Sequence, residues 1–337
     1  MSTPSTSWSE TVGADEDARF EKLAQRLAGV QKARDGARTR ALHAKSHGGL
    51  RARLRVLGDL PEHARQGLFA APGEHRAYVR FSNGSGALQP DKAPDLRGLA
   101  VKVLDVPGPK VLGEASTQDF LMIDTPTVPF RTPDEFIAFV CASSPPDGSI
   151  GKVFREIGYL RTLGLLAGLA KAAKGRPRNV VDRAYYSAAA ISFGKHAARY
   201  AAFPVHEAVE DAAPAAERDY LGPRTARRLV AHPLEYELRA QFFVDEATTP
   251  IEDSRVAWAS PWVPLARLTM AAQDGTTDRG KRLHDYVEKL SFDPWHALVE
   301  HRPLGAVMRA RKHAYYASIV ARGAAKEPDG SEWAQFD

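Results

Sequence analysis

The feature that most limits what this chain can fold into is a crowd of short strand-like runs between about Leu50 and Asp124. LRARLRVL, HRAYVRFS, LRGLAVKVLD and QDFLMID are dense in β-forming residues or alternate polar with apolar, and Gly-, Pro- or Asn-rich breaks separate them. From Leu50 to Leu57, Arg51, Arg53 and Arg55 alternate with Ala52, Leu54 and Val56, so one face is buried and the other wet. Residues 235–245 and 262–270 have the same character. Helical periodicity lies elsewhere. Between Glu16 and Lys45 the apolar residues Phe20, Leu23, Ala24, Leu27 and Val30 recur at three- and four-residue spacing, which predicts an amphipathic helix ending before Gly48-Gly49. Residues 133–183 are helical in period, with a break at Gly175 and RPRN, and a last helical stretch runs from Arg302 to a Gly323 stop. Strands gathered in the middle and helices elsewhere predict an α+β fold, not alternating β-α units.

At 337 residues and 44% hydrophobic content the chain can bury a substantial core. Residues 17–330 read as a single domain, with a polar, Ser/Thr-rich disordered tail before it and residues 331–337 as a tail after it. The net charge of +5 comes without a clustered basic stripe, which argues against nucleic acid as a partner. A single cysteine, Cys141, excludes an intrachain disulfide, a Cys-based zinc site and an iron–sulfur cluster, so any metal must be held by His, carboxylate, Tyr or a cofactor. The N-terminus shows no basic n-region or apolar h-region, and a cytoplasmic protein is expected. The most apolar stretch, Ile157–Ala173, is interrupted by Arg161 and Lys171 and falls short of the roughly 20 residues that span a bilayer. It reads as a buried or amphipathic helix in preference to a membrane-surface one.

Three clusters bear chemistry. Arg40 precedes His43 by three residues, which on a helix puts both on one face, where the chain turns toward the first strand. In Tyr78-Val-Arg80-Phe-Ser82 a strand would place the cation and the hydroxyl on one face, although ordinary surface alternation gives the same pattern. In the last helix Arg311 and Tyr315 are four apart, with Arg322 seven further on. A guanidinium beside a phenol favours the phenolate, a hard anionic ligand for ferric iron; a solvated basic helix with one packed tyrosine fits the same residues. His296 and His301 sit in a Pro-containing loop at a spacing that argues weakly for a metal.

Taken together, Arg40-Ala-Leu-His43-Ala-Lys, Val79-Arg80-Phe81-Ser82, Pro94-Asp-Leu-Arg-Gly98-Leu-Ala-Val-Lys, Gln118-Asp-Phe-Leu-Met-Ile-Asp124-Thr-Pro126 and Arg311-Lys-His-Ala-Tyr315 resemble the haem catalase family, and more closely its small catalase-related branch. Phe292-Asp-Pro-Trp295-His-Ala-Leu-Val-Glu-His301-Arg-Pro-Leu-Gly305 is similar to that branch as well, and the matches run in order from about residue 40 to about 322. The resemblance implies an antiparallel β-barrel wrapped by helices, with haem b, and so iron, at the barrel's side. His43 looks like the distal histidine and Ser82 like the hydroxyl that holds its ring. Tyr315 looks like the proximal iron ligand, with Arg311 beside it, in keeping with the tyrosine ligation known for catalases. Arg40, Arg80 and Arg322 look like the propionate-binding arginines, and Phe136 is a looser match to the aromatic ring stacked on the distal face. Tyr316 competes with Tyr315, but neighbours on a helix are about 100° apart and the RxxxY register selects Tyr315.

Asp124 departs from the pattern, for the family places an asparagine there. An ionised carboxylate can only accept, so Asp124 must be protonated, act as a base or point elsewhere. With the shorter chain, this implies a haem-dependent peroxidase that reduces hydrogen peroxide or organic hydroperoxides with a small organic reductant, with weak catalase activity beside it. The alternatives are a hydroperoxide-rearranging enzyme of the allene oxide synthase kind and a non-catalytic haem-binding protein. A monomer or homodimer is expected, without membrane contact.

Overall fold

Alternation along the first strand carries through to the observed packing: Ala52, Leu54 and Val56 are buried while Arg53 and Arg55 face solvent. The computed structural model describes residues 3–36, 38–172, 178–208 and 217–336. Its strands are β1 (Ser46–Val56), β2 (Gly73–Asn83), β3 (Arg97–Val103), β4 (Gln118–Ile123), β5 (Tyr185–Tyr186), β6 (Ile191–Phe193), β7 (His196–Pro204), β8 (Leu234–Phe242) and β9 (Trp262–Met270). They pair antiparallel in the order β5-β4-β3-β2-β1-β9-β8-β7, and β5 closes the ring on β7 through Tyr185 and Ala202; β6 hangs outside on β7. The result is a closed eight-stranded antiparallel barrel with helices around it, the α+β class expected.

Closure pairs each of the eight barrel strands on both sides and gives each an inner face. Val79, Phe81, Val101, Phe120, Met122, Leu238 and Leu268 fill the inside. The strands that complete the ring between residues 185 and 204 carry no clear strand signal in sequence, because β5 is only two residues long and β7 is rich in alanine, a weak β-former. Ala197, Ala198, Ala201 and Ala202 are nonetheless fully buried, since small side chains fit where the sheet bends shut.

The helices are α1 (Glu16–Asp35), α2 (Pro133–Ser143), α3 (Ile150–Ile157), α4 (Tyr159–Ala172), α5 (Leu221–Ala231), α6 (Asp278–Lys289) and α7 (Ala306–Arg322). Thr132 caps α2 by accepting from the Glu135 amide, with Pro133 at the first helical position, and Thr277 caps α6 by accepting from the Gly280 amide. Gly323 stops α7 in the left-handed region, at φ 60.

Three expectations need correction. The first helix does not run to Lys45. It stops at Asp35 because Gly36 is left-handed, and Arg34 then holds residues 39–41 in an irregular path by donating to the carbonyls of Arg40 (2.7 Å) and Ala41 (3.2 Å). The segment before residue 17 is not a free tail. Ser5 donates its amide to Phe243 O, Trp8 donates Nε1 to Lys195 O, and Glu10 pairs with Arg302 at 2.7 Å and Arg309 at 2.6 Å. The C-terminal segment is likewise packed, as a short helical turn over Ser331–Phe336 that buries Trp333 and Phe336 against Tyr78 and Tyr286. Ion pairs and hydrogen bonds hold the first segment, and buried aromatic rings hold the second. The predicted break at Gly175, Arg176 and Pro177 lies outside the described residues.

Candidate active site

The outer face of β2 supplies the first two side chains. Strand alternation sends Val79 and Phe81 into the barrel and leaves Arg80 and Ser82 on the side away from it. His43 reaches Ser82 from an irregular segment, with φ 56, a left-handed conformation that histidine tolerates better than most residues. Its amide donates to Gly84 O at 3.0 Å, and its Nδ1 lies 3.0 Å from Ser82 Oγ. Arg40 and His43 are therefore neighbours across a bend, not on a shared helix face as their spacing suggested. Gly98, opposite Ser82 in the β2–β3 register, leaves room for this pair: a Cβ there would stand 2.6 Å from His43 Nδ1 and 2.8 Å from Ser82 Oγ. Burial, then the positive charges of Arg80, Arg311 and Arg40, push the His43 imidazole down to about 3, outweighing the Asn83 backbone, so the ring is neutral at pH 7.

Three arginines converge beside it. Arg80 grips Glu288 with two bonds, at 2.6 and 3.1 Å, and Arg40 reaches the same carboxylate at 3.2 Å. Arg40 and Arg322 both donate to Leu290 O, at 2.8 and 2.6 Å, just past the end of α6. Burial, followed by repulsion from Arg80, lowers the Arg322 guanidinium to about 10. Burial alone would raise the Glu288 carboxyl, but Arg80 and Arg40 hold it down at about 2. Sequence reasoning missed Glu288. Nothing local marks it, since its partners lie 208 and 248 residues away in the chain.

From the other side α7 brings Tyr315. Arg311 Nη2 donates to its oxygen at 2.9 Å, and the ring packs against the cluster containing Leu121, Leu290 and Phe292, whereas Tyr316 is 69% exposed. One turn on, Ser318 Oγ accepts from the Ala41 amide at 3.2 Å, which ties α7 to the segment carrying His43. Burial lowers the Arg311 guanidinium, but the Tyr315 oxygen, Tyr200 and Asp293 raise it further, so the net shift is upward. Phe136, on α2, packs against the cluster of Leu27, Ala41, Ile137 and Val140 and meets the Phe130 ring edge-on at 5.0 Å. His43, Phe136, Arg311 and Tyr315 each keep partial solvent access although they lie among packed elements.

Asp124 is placed differently from the other candidates. Its Oδ1 accepts from the Arg97 amide at 2.8 Å and its Oδ2 pairs with Arg183 at 2.8 Å. Burial raises its carboxyl despite Arg183. With both oxygens engaged, it straps the ends of β3 and β4 to the Arg183 segment. His296 and His301 are also apart: the first joins Asp119 and Glu327, and the second accepts from the Leu68 amide.

The residues fit a ferric porphyrin by the chemistry of the donor set: a phenol oxygen paired with a guanidinium, a neutral imidazole, and an excess of arginine at one rim for carboxylates. No family model matches the sequence, and no curated protein matches it either. Solved structures do match in shape. Catalase A from Saccharomyces cerevisiae aligns with a TM-score of 0.69 over 88% of this chain and 64% of its own, at 16% identity. A fungal catalase gives 0.66 over 89% of this chain and 61% of its own, and a bacterial catalase 0.66 over 98% and 65%, both at 16% identity. The fold is that of the catalases. The chain spans less than two thirds of the length of each of these proteins.

Proposed function

We propose that the protein is a haem peroxidase that reduces hydrogen peroxide or organic hydroperoxides at the expense of a small organic donor. The observation that carries this reading is the Arg311–Tyr315 pair on α7, joined through Ser318 to the segment that presents a neutral His43. Tyr315 would ligate the iron through its phenol oxygen, with Arg311 as counter-charge. Arg40, Arg80 and Arg322 would take the two propionates, and Phe136 would pack on the distal side. Bound there, haem b supplies the redox chemistry of O–O cleavage.

The remaining work falls to the protein's own groups. With the proton on Nδ1, donated to Ser82 Oγ, the His43 ring leaves Nε2 as an acceptor. Nε2 takes the proton from one oxygen of the hydroperoxide and returns it to the departing oxygen. Asp124 offers no amide donor to orient a second peroxide, and its oxygens are held by Arg97 and Arg183. This favours peroxidase over catalase turnover.

The test is a haem-loaded preparation, read by its absorption spectrum and then given hydrogen peroxide with a chromogenic donor. Turnover well above that of free haem is expected. A supplemented protein that stays colourless overturns the cofactor, and stable haem binding without turnover points to a binding protein instead.

A further inference from the structure

Over residues 157–170 the apolar stretch is neither buried nor amphipathic in the ordinary sense. One side of α4 packs inward through Thr162 and Leu165, and Arg161 anchors it to Glu135 and to Pro129 O. Its other side presents Leu160, 83% exposed, with Tyr159 at 67% and Leu163 at 44%, followed by the exposed Gly164, Ala167 and Ala170. These positions follow the three- and four-residue spacing of a helix face, and no charged residue interrupts them from 162 to 170. A continuous exposed apolar face of this kind marks an interaction site, unlike single exposed apolar residues. At the corner Phe154 stacks on Tyr159 at 5.1 Å, and α3 adds Ile150, 52% exposed.

Charge identifies what the face fits. Lys152 and Arg155, one turn apart on α3, are exposed and have no acid partner among the described residues. The neighbouring acids are taken, Glu156 by Arg26, Glu135 by Arg161 and Asp134 by Arg19, which leaves Asp147, in the loop before α3, as the unpaired acid. A second copy docked face to face would set these cations against their own kind. We infer that the α3–α4 face docks on an anionic lipid bilayer, with Tyr159, Leu160 and Leu163 inserted at the headgroup level and Lys152 and Arg155 against the lipid phosphates. This is surface attachment, since no helix among the described residues is long and apolar enough to cross a membrane.

The experiment is co-sedimentation of the full chain with phosphatidylcholine vesicles, with and without phosphatidylglycerol. Binding to the anionic vesicles is expected, weakened by salt. Leu160→Asp with Leu163→Asp, and separately Lys152→Glu with Arg155→Glu, should each weaken it on the order of tenfold or more. The thermal midpoint should not move, because these side chains are exposed. Should an Asp variant fail to fold, Leu160→Cys in a Cys141→Ser background, labelled with an environment-sensitive dye, should shift to the blue only on anionic vesicles. Equal binding to neutral vesicles, undiminished binding by the leucine variants, or a dimer in solution that those variants dissolve would each overturn the inference. Tyr315→Phe should bind vesicles like the parent protein, so this result and the iron-ligation reading stand or fall separately.

Discussion

The ring of Phe292 separates two groups of buried charge, lying 5.9 Å from the Arg40 guanidinium on one side and 5.7 Å from Lys102 Nζ on the other. On the Lys102 side the account closes. Lys102 bonds both oxygens of Asp119 at 2.8 Å and Glu327 at 2.6 Å, and His296 joins the same two acids at 3.2 and 3.3 Å. Burial lowers the His296 imidazole, but Asp119 and Glu327 raise it further, so the lysine and a histidine inclined to hold its proton face two acids. On the Arg40 side three guanidiniums meet one carboxylate, which leaves two positive charges unmatched. The matched group is scaffold. The unmatched group has positive charge left over for an anion, and under the proposed function two propionates would supply the missing charge.

Substitutions can break or sharpen that contrast. Tyr315→Phe carries the largest expected effect: haem-loaded protein should lose its tyrosine ligation altogether, read by absorption and electron paramagnetic resonance, and an unchanged iron spectrum would remove Tyr315 as the ligand. His43→Ala should retain haem and slow peroxide cleavage by roughly 10²–10⁴. An equal rate takes His43 out of the mechanism.

On the matched side, Lys102→Met should destabilise the apoprotein by about 3–5 kcal/mol in a denaturant titration, because it strands Asp119 and Glu327 in the interior. On the unmatched side, Arg322→Gln should cost less stability, about 1–2 kcal/mol for its bond to Leu290 O, and weaken haem retention roughly 10- to 100-fold, the value of one charged hydrogen bond. If Arg322→Gln unfolds the protein, or Lys102→Met does not weaken it, the two groups do not differ as described.

The last contrast is in pH. His43 titrates near 6.5 when unfolded and about 3 when folded, so the unfolded chain binds the extra proton between those values. Its contribution to stability is complete above pH 6.5 and is lost as pH falls toward 3, with a slope of at most about 1.4 kcal/mol per pH unit. His43→Ala should flatten the acid limb of the stability curve by less than one proton, measured by urea midpoints at a series of pH values.

Much of the barrel was legible in advance because the runs from Leu50 to Asp124 combine strong β-formers with alternation, and each becomes a strand of the sheet. The closing strands were not, since Tyr185–Pro204 relies on alanines whose fitness for a strand exists only once the sheet bends. The spacing of Arg311 and Tyr315 was readable for a different reason: a helix converts four residues into one face without help from the rest of the chain. Arg40 and His43 show the limit of that logic. The same kind of spacing failed because Gly36 and Arg34 end the helix first.

By itself the sequence determined which side chains could do chemistry and the local geometry of those that share one helix or strand, because periodicity is a property of neighbouring residues. Only the tertiary structure decided that Glu288 sits among three arginines, that Asp124 is spent on Arg97 and Arg183, and that the apolar stretch after Gly158 turns a face to solvent. Those outcomes depend on contacts between segments far apart in the chain, and burial and charge compensation are set by the sum of such contacts, which no local pattern records.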